Sequence, residues 1–215
     1  MMISQKSHFV IEYFNEILPD ARCALNYKKD YELVIAVMLS AQTTDKSVNK
    51  VTEGLFIKYN TLESLANAKI DDIENEIKSL GLYKNKAKNI ILIAQKLLSD
   101  FEGKVPCSFK KLITLEGVGR KTANVVLCEL FNVAEFPVDT HINRIAKRLG
   151  YAKDEDDVLQ VEMNLRKAFP KSSYIKLHHQ LIHFGRQVCK SINPKCDECK
   201  LKPYCKYFKM INKRK

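Results

Sequence analysis

Apolar residues recur every three or four positions along nearly the whole chain, and that spacing restricts the fold class more than any other feature. Phe9, Val10, Tyr13, Phe14 and Ile17 make one stripe, closed by Pro19. Val48, Val51, Leu55 and Tyr59 make another, after Thr44, whose hydroxyl suits a helix N-cap. Ile70, Ile73, Ile77 and Leu80 lead to Gly81, read here as a C-terminal stop. Similar stripes start at Ile90, Phe109, Ala123, Ile142, Val158 and Ile175. Leu33 to Leu39 is apolar on every side, which predicts a central helix. No run alternates with the period of a strand, so the expected fold is all-α. Composition marks no linker, and Pro137 is the best internal break.

The chain has 215 residues and is 46% hydrophobic, enough for one large or two small domains with a real core. Its formal charge is +11, and Arg186 to Lys215 holds ten Lys or Arg against two Asp or Glu, a net +8. That concentration points to a polyanion, either nucleic acid or an anionic membrane surface. The longest apolar run is too short to span a bilayer, and the N-terminus has no apolar signal core. A cytoplasmic protein is expected, nucleoid-associated in a bacterium. Thiols stay reduced there, so seven cysteines indicate metal or buried thiols rather than disulfides. Cys23, Cys107 and Cys128 read as plain buried thiols. Cys189-x6-Cys196-x2-Cys199-x5-Cys205 reads as a metal site, with spacing that leaves zinc and iron–sulfur both open. Lys190, Lys195, Lys200 and Lys202 ride on the same loop and could meet a phosphate backbone.

The stretch LEGVGRKTA, Leu115 to Ala123, puts Gly117 and Gly119 before a helix that opens with Arg120 and Lys121. Cations are mildly unfavourable at that end of a helix. The glycines allow positive φ and close approach, and the first helical amides point outward, so the turn suits one phosphate without reading any base. A free lysine is only ~0.04% neutral at pH 7, a handicap of roughly 4.6 kcal/mol for a nucleophile. A positive helix end and a neighbouring arginine both lower that barrier, so Lys121 is a candidate nucleophile. SLGLYKNKA (79–87) echoes the pattern of glycine turn and basic helix start. In FPVDTHINRIAKRLG, Asp139 stands where an N-cap is expected. Its carboxylate could also stabilise a cationic sugar or relay a proton.

LEGVGRKTANVVL, then FPVDTHINR, then C-x6-C-x2-C-x5-C, resembles endonuclease III, a DNA glycosylase with AP-lyase activity in the helix–hairpin–helix superfamily. The resemblance runs from the Leu33 helix to Cys205. It implies a two-lobed all-α fold with a central DNA-binding cleft. One six-helix lobe would span 23–133, and the other would combine 1–22 with 134–215 and a cluster loop at 189–205. It further implies a [4Fe–4S] cluster on Cys189, Cys196, Cys199 and Cys205, with Lys121 as nucleophile and Asp139 as the essential carboxylate. Gly117, Val118, Gly119, Arg120, Thr122, His141, Lys190 and Lys195 would contact DNA. Gln42 and Leu82 would fill the gap left by a flipped base. The implied substrate is double-stranded DNA with oxidised pyrimidines or abasic sites, and the implied enzyme is a monomer with no membrane partner. Glu116 departs from the family, which commonly has proline there. Three rival readings each meet an objection in the sequence. A mismatch-specific relative is opposed by Lys121, since such enzymes generally lack a lysine at that position. A non-catalytic DNA-binding protein with a metal knuckle is opposed by the Lys121/Asp139 pair. A metallohydrolase using His179 and His183 lacks the middle glutamate of its motif.

Overall fold

The computed structural model describes residues 3–212; residues 1–2 and 213–215, including the last three cations of the basic tail, lie outside the described residues. Among the described residues there are helices and no strands. In order they are α1 (Gln5–Ile17), α2 (Asp30–Leu39), α3 (Asp45–Lys58), α4 (Leu62–Ala66), α5 (Ile70–Ile77), α6 (Tyr83–Phe101), α7 (Phe109–Leu112), α8 (Arg120–Phe131), α9 (Thr140–Leu149), α10 (Val158–Ala168), α11 (Tyr174–Gln187) and α12 (Lys206–Asn212). Two single 3-10 turns lie at Lys171–Ser173 and Lys202–Tyr204. The chain divides into two compact units, Ala24–Val133 and a discontinuous one of Met1–Cys23 with Ala134–Lys215.

In the continuous unit, α2 is the centre, as its all-round apolarity predicts. Every residue from Tyr31 to Leu39 is buried, and the helix packs on α3, α6 and α8. The one charged member, Glu32, accepts hydrogen bonds from the Lys28 and Lys29 amides at 2.6 and 3.2 Å, so its charge is satisfied at the helix start. Thr44 caps α3 as expected, accepting from the Ser47 amide at 3.2 Å. Gly81 does not stop α5, which ends at Ile77. The chain turns instead through a Leu80 N–H to Ile77 O bond of 2.9 Å, with Leu80 buried as the anchor. The left-handed residue in that turn is Leu82, at φ 60°.

The discontinuous unit has its own core, in which Phe14, Phe136, Ile142, Ile145 and Phe184 are all buried. α9 packs on α10, α11 and α12, and α11 also meets α1. The α9–α11 crossing is close at Gly185, where an added Cβ would lie 2.9 Å from the His141 Cβ. Pro137 sits in an extended segment whose carbonyl lies 2.9 Å from His178 Nδ1. His178 and His179 are core residues and His183 is partly buried, so this helix turns its histidines mostly inward.

Candidate functional site

The hairpin between α7 and α8 is anchored by buried Leu115 and Val118, joined by a Val118 N–H to Leu115 O bond of 3.1 Å. Gly117 has φ +74°, and a Cβ there would lie 2.4 Å from Asn89 Nδ2 and 3.1 Å from Met38 Cγ. Both conformation and space demand glycine. Gly119 is different. It is the N-cap of α8 with φ −87° and ψ −178°, available to any residue, and a Cβ there would meet no atom within 4 Å. Nothing inside the chain requires a bare backbone at 119, and the open space faces the start of a twelve-residue helix. The ladder of α8 begins with Ala123 N–H to Gly119 O at 2.9 Å, so earlier amides lie outside it. The first turn of α8 holds no acidic residue. The Arg120 guanidinium lies 5.2 Å from the Phe109 ring centroid, Lys121 and Thr122 are half-buried, and Glu116 is exposed. The Val118 side chain is buried, so only its main chain is available to a ligand.

Gln42 and Leu82 lie in the same unit. Both are exposed, and both are non-glycine residues in the left-handed region, at φ 57° and 60°. Between them lies Lys86, which sequence reasoning passed over. It is 4% exposed, and its Nζ donates to Ala41 O and to Thr43 Oγ1, each at 2.9 Å. Burial lowers the pKa of this amine. The signal was present: Lys86 is four residues before Ile90, in register with the apolar stripe of α6.

In the other unit, Asp139 caps α9, its Oδ1 accepting from the Ile142 amide at 2.8 Å while the residue stays partly exposed. His141 Nδ1 lies 3.1 Å from Arg144 Nη2. Arg144 also donates through Nη2 to Gly185 O at 3.1 Å and to Cys189 O at 2.9 Å. One turn on, Arg148 donates to Cys189 Sγ at 3.4 Å, Lys190 O at 2.6 Å and Ser191 O at 3.0 Å. These two arginines, four apart in NRIAKR, clamp the start of the cysteine loop and were also missed. Of the loop lysines, Lys195 and Lys200 pair with Glu198 and Glu16 at 3.6 and 2.5 Å, and Lys202 donates to Asp197 O at 2.9 Å. Lys190 is exposed.

Cys189, Cys196, Cys199 and Cys205 line one small, partly open cavity, together with Leu149 and Phe184. Burial raises the pKa values of Cys196 and Cys205 and pushes Cys199 up to about 11, and neighbouring thiols act in the same direction. These three thiols are poor thiolates unless a shared cation joins them. The donor set therefore fits a metal centre. The remaining cysteines differ from expectation in part: Cys128 is buried, Cys23 is partly exposed and Cys107 is exposed. Cys107 sits in the irregular segment between α6 and α7.

Residues 35–171 match the family described as HhH-GPD superfamily base excision DNA repair protein. The endonuclease III of Bacillus subtilis is 43% identical over 206 residues, covering 96% of this chain and 94% of the relative. That of Rickettsia felis is 44% identical, covering 96% and 97%. The structure of a trapped endonuclease III–DNA covalent intermediate, an estranged-adenine complex, superposes with a TM-score of 0.93 at 42% identity, covering 99% of this chain and all of that one. A non-covalent endonuclease III–DNA complex gives 0.94 at 42%, with full coverage of both chains. The chain belongs to the endonuclease III family. As a member it is an enzyme of base excision DNA repair, a DNA glycosylase with AP-lyase activity. Endonuclease III membership also removes the non-catalytic binding module from consideration. No helix among the described residues is long and apolar enough to cross a membrane.

Proposed function

We propose that this glycosylase/AP lyase takes oxidised pyrimidines out of double-stranded DNA, with Lys121 as nucleophile and Asp139 as the acid–base and electrostatic partner. The damaged base is swung from the stack. Neutral Lys121 attacks C1′ of the deoxyribose, the C1′–N bond breaks, and the base leaves with the bonding pair and takes up a proton. Loss of the lysine proton and ring opening give a Schiff base. That makes the C2′ proton acidic; its removal expels the 3′ phosphate and cuts the strand. Hydrolysis then frees the lysine. Asp139 stabilises positive charge on the sugar and relays protons.

The observation that carries this reading is the α8 entrance. A glycine with no internal need for its bare backbone faces open space at a helix N-terminus, beside Lys121. Gly117, Val118, Gly119, Arg120 and Thr122 would grip one phosphate there. His141, Lys190 and Lys195 would add contacts from the other unit, with Lys195 exchanging Glu198 for phosphate. Gln42 and Leu82 would enter the gap left by the flipped base. The four cysteines would hold a [4Fe–4S] cluster. Support comes from the cavity that the four cysteines share. The protein would act as a monomer on the chromosome.

Borohydride reduction on abasic-site DNA tests the nucleophile. The wild-type enzyme gives a covalent adduct; Lys121→Ala gives none while still binding the duplex. An adduct of undiminished yield in that variant removes Lys121 from its role.

A further inference from the structure

We infer that Lys86 is a positioning residue for base extrusion, a buried tie that sets Gln42 and Leu82 as one unit. This rests on the reading of those two residues as gap fillers. The side chain of Lys86 bonds the residues on both sides of Gln42, Ala41 O and Thr43 Oγ1, each at 2.9 Å. Its main chain closes the first turn of α6 on the other filler, with Lys86 N–H donating to Leu82 O at 3.0 Å. One residue thus fixes two loops that are forty residues apart in sequence. Both loops present an exposed side chain from a left-handed backbone, which L-residues adopt at a cost and hold only where neighbours enforce it. Thr43 adds to the brace through its hydroxyl bond to Ala41 O at 3.3 Å and its amide bond to Ser40 O at 3.1 Å.

Packing alone does not explain this choice. Lys86 is 4% exposed, and among the described residues no carboxylate pairs with it. A buried ammonium without a counter-ion is disfavoured, and burial accordingly lowers its pKa. Methionine or leucine would fill the same space without that penalty. What they could not do is bind two acceptors that flank Gln42. Three donors on one amine can hold a loop from inside and leave its outer face open to DNA.

A double-mutant cycle tests the inference. The variants are Lys86→Met, Thr43→Val, Gln42→Ala and the pairs with Gln42→Ala. Two readouts are taken: the single-turnover rate of β-elimination at an abasic site, and the fluorescence of 2-aminopurine placed opposite a tetrahydrofuran abasic analogue. The expected result is a loss of about tenfold for Lys86→Met in the wild-type background and under about twofold in the Gln42→Ala background, with the 2-aminopurine signals of the single variants alike. Equal losses in both backgrounds would overturn the inference and leave Gln42 as a gap filler. A Gln42→Ala enzyme with unchanged rate and fluorescence would instead remove the gap-filling reading itself, and Lys86 with it. Should Lys86→Met not fold, Thr43→Val decides. It keeps the lysine and its carbonyl bond, and should lose about twofold to fourfold in the wild-type background and nothing further with Gln42→Ala. The same loss in both would overturn the inference.

Discussion

Arg144 donates to the carbonyl oxygen of Cys189 at 2.9 Å through Nη2 and at 3.2 Å through Nε, tying the helix that opens with Asp139 to the first of the four loop cysteines. The same guanidinium holds Gly185 O, so three elements meet on one side chain. Arg144→Met should leave those carbonyls short of donors and destabilise this unit by about 1–3 kcal/mol. The loop would open more often, so iron should pass to a chelator several-fold faster, followed as bleaching of visible absorbance. Unchanged release kinetics would mean that Arg144 does not brace the loop.

The two hairpin glycines make opposite predictions. Gly117→Ala combines a positive φ with a Cβ 2.4 Å from Asn89 Nδ2, so it should cost about 1–3 kcal/mol in thermal or denaturant unfolding. Gly119→Ala meets no atom and needs no unusual φ, so stability should change by less than about 0.5 kcal/mol. Its methyl group would stand where a phosphate must approach, and affinity for abasic DNA should fall about tenfold or more. If Gly119→Ala binds DNA normally, the open space before α8 is not the phosphate site.

Loss of the proposed metal should act on one unit only. Cys199→Ser removes a half-buried thiol from the proposed ligand set, and the polar loop from 189 to 205 has little core of its own. The purified variant should carry much less iron than the wild type, which should contain about four per chain. Limited proteolysis should cut within that loop, while the α2-centred unit, whose core is separate, stays intact. A colourless wild-type protein containing zinc would overturn the iron assignment.

Periodicity made the helices legible because burial of one face is a property of sequence spacing, as α1, α3 and α8 show. The turn after α5 differs from expectation because glycine is the usual left-handed residue, whereas here Leu80 is buried and Leu82 takes that conformation. Asp139 as a cap was legible from its place just before an apolar stripe. Arg144 and Arg148 were not, because their partners are carbonyls, an imidazole and a thiol brought near only by folding. Charge at those positions carries no mark in a sequence that distinguishes a brace from a solvated surface residue. The exposure of Cys107 was missed for the converse reason: a buried thiol is the commoner case, and no local pattern reports a bare loop.

Asp139 is a helix cap, and substitution can separate that role from the chemical one proposed for it. As a cap it needs only an acceptor oxygen, and asparagine provides one nearly as well. Asp139→Asn should therefore unfold within about 0.5 kcal/mol of the wild type, whereas Asp139→Ala should lose about 1 kcal/mol with the cap. Asparagine carries no charge and cannot take a proton at neutral pH, so stabilisation of the cationic sugar and proton relay both fail. Base excision by Asp139→Asn should fall by about a hundredfold or more under single-turnover conditions, with DNA affinity unchanged or slightly higher because one anion is gone. Asp139→Ala should be no less impaired. Full activity in the asparagine variant would leave Asp139 as a helix cap alone, and the acid–base work would then have to come from another group near the sugar.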